Sequence, residues 1–349
     1  MMHRHGQGGI FDIITDNAVV HEFFMFHTEN INELLAKAKE SIRDDHTLII
    51  LNGMCHNITE ADQWIAPINE FYANNINPLL VLNGRLTTDN PTVQPIFTYG
   101  RLSIFDYFSN IYWDKCKQIS PSILNLSSSR VHKFYWASSK DYYTRRYVLA
   151  NLIENNLLEN NLVNYKCLHT NIPGNKGDMI ETLYSSDSQK RIINACNSIQ
   201  HLLPLPPIDN TVDFQQTPVD FYCNSYLGII TDTSYESNIY LSEKIFNAIN
   251  YEQLFAYLGP PYTLAYLKDQ GYETFGDVID ETYDNNANHG ERLLHYTNSL
   301  IDFLSQPIDT IHDVYVKCLP RIKHNKQLLQ SQRPDLKFTE FVRQALARN

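Results

Sequence analysis

The chain has 349 residues, 43% apolar and 12% aromatic, which suffices for one large core or two medium ones at about 100–200 residues per domain. Its 13 Gly and 15 Pro exclude a fibrous or low-complexity chain, and 22 Tyr and 17 Phe with only 19% charge exclude disorder. The net charge of −11 is uneven: residues 1–130 carry 9 Lys/Arg against 14 Asp/Glu and 317–349 carry 8 against 2, so an acidic body that repels polyanions ends in a basic tail.

No stretch approaches the 18 or so apolar residues of a spanning helix, and MMHRHGQGG at the start has no apolar signal core. The cysteines at 55, 116, 167, 196, 223 and 318 form no C-x-x-C, which points to reduced thiols in a cytoplasmic protein.

In chain order, FDIIT (11–15) and VVHEFFMF (19–26) read as strands, and ENINELLAKAKESI (29–42) as an amphipathic helix capped by Thr28. TLIILNG (47–53) is a buried strand, a helix follows from about Thr59 to Asn74, and LLVLNG (79–84) is the next strand. Strand, helix, strand with Asn-Gly turns is the pattern of a parallel sheet. Residues 85–127 read as irregular, and SPSILNLSSS (120–129) as a linker.

A second α/β unit then opens. HKFYWAS (132–138) reads as a strand, YTRRYVLANLIENNLL (143–158) as a helix, 165–187 as loop, and SQKRIINACNSIQHLL (188–203) as a helix. YLGIITDTS (226–234) is a strand, a helix starts near Ser242, LFAYLG (254–259) is a strand, and TLAYLKDQG (263–271) a helix. ERLLHYTNSLIDFLS (291–305) and the basic tail finish the chain in helices. The tail reads either as a helix packing by Phe338, Phe341, Val342 and Leu346, or as a contact for a polyanion or lipid surface.

Several chemistries are excluded by missing motifs. There is no G-x-x-x-x-G-K-[ST] phosphate loop, no G-x-S-x-G elbow and no H-E-x-x-H. GQGG (6–9) precedes the first strand, where a dinucleotide turn would follow it. D-x-D, which holds a divalent ion on a sugar nucleotide's diphosphate, is absent too, so no metal site is expected.

What is present is a Glu-Lys pair at a helix start, in NIYLSEKIF (238–246). With Ser242 as N-cap, Glu243 and Lys244 fall in the first turn, where free N–H groups and partial positive charge already gather. A lysine there opposes the helix dipole unless an anion such as a diphosphate sits beside it. Alone, the pair reads first as two exposed charges.

The surrounding stretch, YLGIITDTSYESNIYLSEKIF and then LFAYLGPPYTLAYL, resembles the donor-binding segment of the α-1,3-fucosyltransferases. Asp232-Thr233-Ser234 stands for that family's Glu-Asn-Ser, and Tyr240, Ser242, Glu243 and Lys244 for its Tyr-x-Thr-Glu-Lys after one extra residue. Gly259-Pro260 closes the strand. The chain is also similar to glycosyltransferases of bacterial viruses through Thr263-Leu264, Leu267, Gly271-Tyr272, Thr274-Phe275 and Asp280-Glu281-Thr282-Tyr283-Asp284. Upstream, FYWASSKDYYTRR (134–146) matches an aromatic-Ala-Ser-Asn segment followed by arginine, which puts Arg145 at that position.

The resemblance covers roughly 130–300 and implies two Rossmann-like α/β domains facing across a cleft, the GT-B type. On it, 1–127 is an acceptor-side domain, 128–330 binds the nucleotide-sugar donor, and 331–349 is a helix that can cross back to the first domain. It implies that Arg145 and Lys244 clamp the donor diphosphate, Glu243 holds ribose, and Tyr240 and Asp232 lie at the donor site. The activity implied is that of a hexosyl- or pentosyltransferase, inverting and metal-independent, with the nucleotide sugar as co-substrate and no cofactor.

The base is expected on the first unit, at the carboxyl ends of its strands. NGMCHNITEAD (52–62) offers His56, Glu60 and Asp62, and NGRLTTD (83–89) offers Arg85 and Asp89, with His56 and Glu60 foremost. Each also reads as a cap or surface group, as do Arg145, Arg146, Asp280 and Glu281. The resemblance leaves two acceptor classes open, a glycan or lipid-linked saccharide and a hydroxymethylated base of viral DNA. A non-catalytic nucleotide-sugar-binding protein of the same fold is the contrasting class.

Overall fold

The structure is a computed structural model, and it describes residues 19–24, 47–53, 79–82, 103–106, 128–138, 142–165, 186–199, 219–232, 235, 241 and 243–331. The expected strand at 11–15, the helices at 29–42 and 59–74, and the apolar spacing at 338–346 lie outside them.

The chain divides into two compact units. The first carries β1 (Val19–Phe24), β2 (Thr47–Gly53), β3 (Leu79–Leu82) and β4 (Ser103–Asp106), paired in that order and all parallel. Val19 lies beside Thr47, Ile50 beside Leu79, and Leu79 beside Ser103. The unbroken apolar runs of β2 and β3 suit parallel strands covered on both faces. β4 falls in the stretch read as irregular, because four residues show no periodicity.

The second unit is built on β5 (His132–Ser138), β6 (Leu162–Tyr165), β7 (Ser225–Thr231) and β8 (Leu254–Leu258), a parallel sheet in the order β6-β5-β7-β8. Its helices are α1 (Tyr143–Glu154), α2 (Ser186–Ile199), α3 (Val219–Cys223), α4 (Glu243–Asn250), α5 (Thr263–Asp269), α6 (His289–Leu304) and α7 (Ile308–Ser331). Every residue of β7 and β8 is buried, as expected where helices cover both faces. Right-handed crossovers that leave the sheet centre in opposite directions, β5–α1–β6 and β7–α4–β8, put α1 and α4 on opposite faces. α2 packs on α1, and α7 packs on α4 and along β5, β7 and β8.

α1 ends earlier than its apolar pattern suggests. Asn156 turns left-handed at φ 56, its N–H bonds the Ile153 carbonyl at 2.9 Å, and the Leu157 N–H bonds the Leu152 carbonyl at 2.9 Å. That double bond with a buried leucine behind it is a Schellman stop, here with Asn in place of Gly. It turns the chain into β6, a strand the pattern did not reveal. α4 stops the same way on Glu252, also at φ 56. Glu252 is steadied there by Lys326 at 3.0 Å and by bonds to its carbonyl from Arg130 and Tyr315.

Candidate functional site

In a doubly wound sheet, ligands bind outside the carboxyl ends of the strands where the winding reverses. Here that point lies between β5 and β7, whose Trp136 and Ile229 are register partners. Ser138 closes β5 and is buried, Thr231 closes β7, and Asp232 follows it. Trp136 Nε1 donates to Thr231 Oγ1 at 3.0 Å, joining the two strand ends.

Arg145, in the first turn of α1, reaches the same place. It is 1% exposed, its Nη2 donates to the Thr231 carbonyl at 2.9 Å, and its guanidinium lies 4.8 Å from the centroid of the Tyr142 ring. Asp232 is buried; its N–H donates to the Leu258 carbonyl at 2.8 Å, and its carboxylate accepts from the Tyr257 hydroxyl at 2.6 Å. Arg145, Thr231 and Asp232 therefore meet at the carboxyl edge.

Lys244 is the second residue of α4 and half-buried. Glu243 is the first residue of that helix. Tyr240, Ser242, His56 and Glu60 lie outside the described residues, as do Asp62, Arg85 and Asp89.

The other motif residues do structural work. Gly259 follows β8 where a Cβ would come within 2.5 Å of Tyr257 Cε1, so only glycine fits. Thr263 Oγ1 donates to the Pro260 carbonyl at 2.7 Å. Asp284 accepts the N–H groups of Leu264 and Ala265 at 3.0 and 3.1 Å, capping α5 from downstream. Burial pushes the Asp284 carboxyl up to about 6, against the pull of those two bonds. With an internal carboxylate already on its first turn, α5 is closed to an outside anion.

Glu281 accepts from Thr274 Oγ1 at 2.6 Å and from the Phe275 N–H at 2.8 Å, with Lys268 Nζ at 3.3 Å. Asp280 accepts the Thr282 N–H at 2.9 Å, and the Tyr283 hydroxyl donates to the Tyr257 carbonyl at 3.0 Å. The Asp280-to-Asp284 motif is thus a set of caps and ties that supports β8 and its loop.

Two cations at the start of the basic tail are paired. Arg321 grips Asp277 with both arms, at 2.5 and 3.0 Å, and holds its carboxyl below the usual carboxylate range. Lys326 pairs with Glu252. Lys323 is exposed.

Three residues near the edge were not anticipated: Tyr257, Tyr235 and Arg292. Arg292 lies on the buried stripe of α6 with Tyr296, Leu300 and Phe303. A charged residue on an apolar stripe was the available signal.

No protein-family model matches the chain, and no curated protein matches it. Among solved structures, the apo structure of OtsA aligns over 90% of this chain and 75% of that one, at 10% sequence identity and a TM-score of 0.45. A likeness at that level carries no argument about activity. No helix among the described residues is long and apolar enough to cross a membrane.

Proposed function

We propose that the chain is a glycosyltransferase that moves a sugar from a nucleoside-diphosphate sugar to an acceptor hydroxyl. The observation that supports this reading is the convergence of Arg145, Thr231 and Asp232 on the carboxyl edge of a doubly wound parallel sheet, in the segments that resemble the fucosyltransferase donor region. Fold alone does not name a reaction, so the reading rests on these residues.

In this reading the acceptor oxygen attacks the anomeric carbon while the bond to the leaving diphosphate breaks, with inversion. A base, His56 or Glu60, takes the hydroxyl proton. Negative charge grows on the diphosphate, and Arg145 and Lys244 offset it in place of a divalent ion. Glu243 holds the ribose, and Tyr240 lies near the nucleotide. Of the described tail cations, Arg321 and Lys326 are engaged with Asp277 and Glu252 and Lys317 and Lys323 are exposed, so the pairing of the first two supports a glycan acceptor over DNA only in part.

The test incubates the full chain with a panel of nucleotide sugars, with and without EDTA, and follows release of free nucleoside diphosphate by mass spectrometry. Slow hydrolysis of one donor that survives chelation is expected. Binding without any turnover would instead mark a non-catalytic nucleotide-sugar protein. Loss of activity in EDTA, restored by manganese, would overturn the metal-independent mechanism.

A further inference from the structure

Two buried asparagines at β6 differ in what their amides do. Asn161, just before the strand, is engaged at both ends: its Oδ1 accepts the N–H groups of Lys133 and Phe134 at 2.9 and 3.2 Å. Its Nδ2 donates to the Leu157 and Glu159 carbonyls at 2.8 and 3.1 Å. Asn164, one residue from the carboxyl end of β6, is 7% exposed, and its Oδ1 has no hydrogen-bond partner among the described residues. A buried acceptor left unmet costs stability that an apolar side chain would not, so it points to a donor from outside the fold.

Register fixes what lies beside it. Asn164 pairs with Ala137 of β5, so the two share one face of the sheet. That face is the α4 side: Tyr135, two residues before Ala137, pairs with Gly228, where a Cβ would meet the Ala248 side chain of α4 at 3.3 Å. β5 is a central strand, with β6 and β7 at its sides, yet Ala137 is only half-buried. Trp136 and Ser138, on the other face, are each 1% exposed. The α4 side is therefore open above Ala137. Toward the amino end an aromatic cluster of Tyr135, Tyr222 and Tyr251, with half-buried Phe221, closes the opening. A small apolar floor, an aromatic wall and one unmet amide oxygen suit a flat group with a polar edge.

We propose that Ala137 and Asn164 form a nucleobase subsite, in which the base lies over Ala137 and an N–H on its edge donates to Asn164 Oδ1. The proposal rests on the glycosyltransferase reading. Arg145 marks the diphosphate end at the Thr231 carbonyl, on β7. β6 lies two strands away, at about 10 Å. A nucleoside diphosphate laid along the carboxyl edge covers that span, with its anion at Arg145 and its base at Asn164. All the common bases carry an edge N–H that an amide oxygen can accept.

The test titrates the full chain with UDP, GDP, ADP and CDP, and with inorganic pyrophosphate, which has the anion and no base. The titrations are repeated on Asn164→Ala and on Ala137→Leu, which fills the opening. The nucleoside diphosphate that the wild type binds best should lose about tenfold in affinity in both variants, while pyrophosphate stays within about twofold. The melting temperature of Asn164→Ala should hold or rise, because an unmet buried acceptor is removed. An unchanged nucleoside-diphosphate Kd overturns the subsite, as does an equal loss for pyrophosphate. A wild type that binds all four nucleoside diphosphates no better than pyrophosphate overturns the subsite and leaves the diphosphate clamp standing. One that binds none of the five overturns the donor reading, and the subsite with it. Should Asn164→Ala fail to fold, Ala137→Leu decides by the same comparison.

Discussion

Arg145 and Thr231, 86 residues apart in sequence, are joined by a 2.9 Å hydrogen bond from guanidinium to backbone carbonyl. The bond ties the first turn of α1 to the last residue of β7, so one side chain serves both the packing of the sheet and the charge of its carboxyl edge. Two kinds of measurement should therefore move together when it is removed.

Arg145→Ala should lower the melting temperature and weaken nucleoside-diphosphate binding. A charge-assisted bond is worth about 1.5–3 kcal/mol, or roughly 10- to 150-fold in affinity. Calorimetry that finds wild-type affinity in a folded Arg145→Ala protein would remove this residue from the donor site.

Lys244→Ala should separate the same two quantities. Lys244 is half-buried in the first turn of α4, where a cation opposes the helix dipole by about 0.3–1 kcal/mol. Stability should stay within about 1 kcal/mol of wild type while diphosphate affinity falls by a factor comparable to that of Arg145→Ala. A variant that loses stability but keeps its affinity would make Lys244 a structural residue.

Asp284 and His289 should give opposing pH dependences. The folded-state pKa of Asp284, about 6, lies above its ordinary value of 3.8, so its contribution to stability is full below pH 4 and is lost as pH rises through 6. That contribution is about 3 kcal/mol. His289 runs the other way: its folded pKa, about 4, is below 6.5, so stability is lost as pH falls from 6.5 through 4. Urea unfolding of Asp284→Asn at pH 4.5 and 7 should uncover the histidine slope, with greater stability at the higher pH. A variant whose slope matches wild type would mean that Asp284 is ionised throughout this range.

Lys326→Ala should destabilise the protein by about 3 kcal/mol, since it strands the Glu252 carboxylate in a nearly buried position. Its effect on the salt dependence of acceptor binding should be nil. The reverse pattern, an unchanged melting temperature with a flatter salt dependence, is the signature of a cation that grips a polyanion.

Strands with long apolar runs were legible in the sequence: β2 and β5 lie where their patterns put them, β8 ends one residue early, and β7 starts one residue sooner and ends three residues before the expected 234. β4 and β6 were not, because four-residue strands carry no period. The end of α1 was misjudged because Asn156 takes the left-handed turn that a glycine would have advertised. At the site, Asp232 and Lys244 stood out through motif spacing. Tyr235 and Arg292 did not, since their partnership spans 57 residues and exists only in the folded chain.

The ties that close on Asp284 also bear on how the protein folds. Its bonds to Leu264 and Ala265 span 20 and 19 residues, and those of Glu281 to Thr274 and Phe275 span 7 and 6. Closing loops so short costs little chain entropy, whereas pairing β5 with β7 must gather nearly a hundred residues. The stretch from Thr263 to Asp284 can therefore form early and present β8 with its flanking support already built. Glu281→Gln and Asp284→Asn should then slow refolding in stopped-flow experiments, whereas Arg145→Ala should mainly speed unfolding.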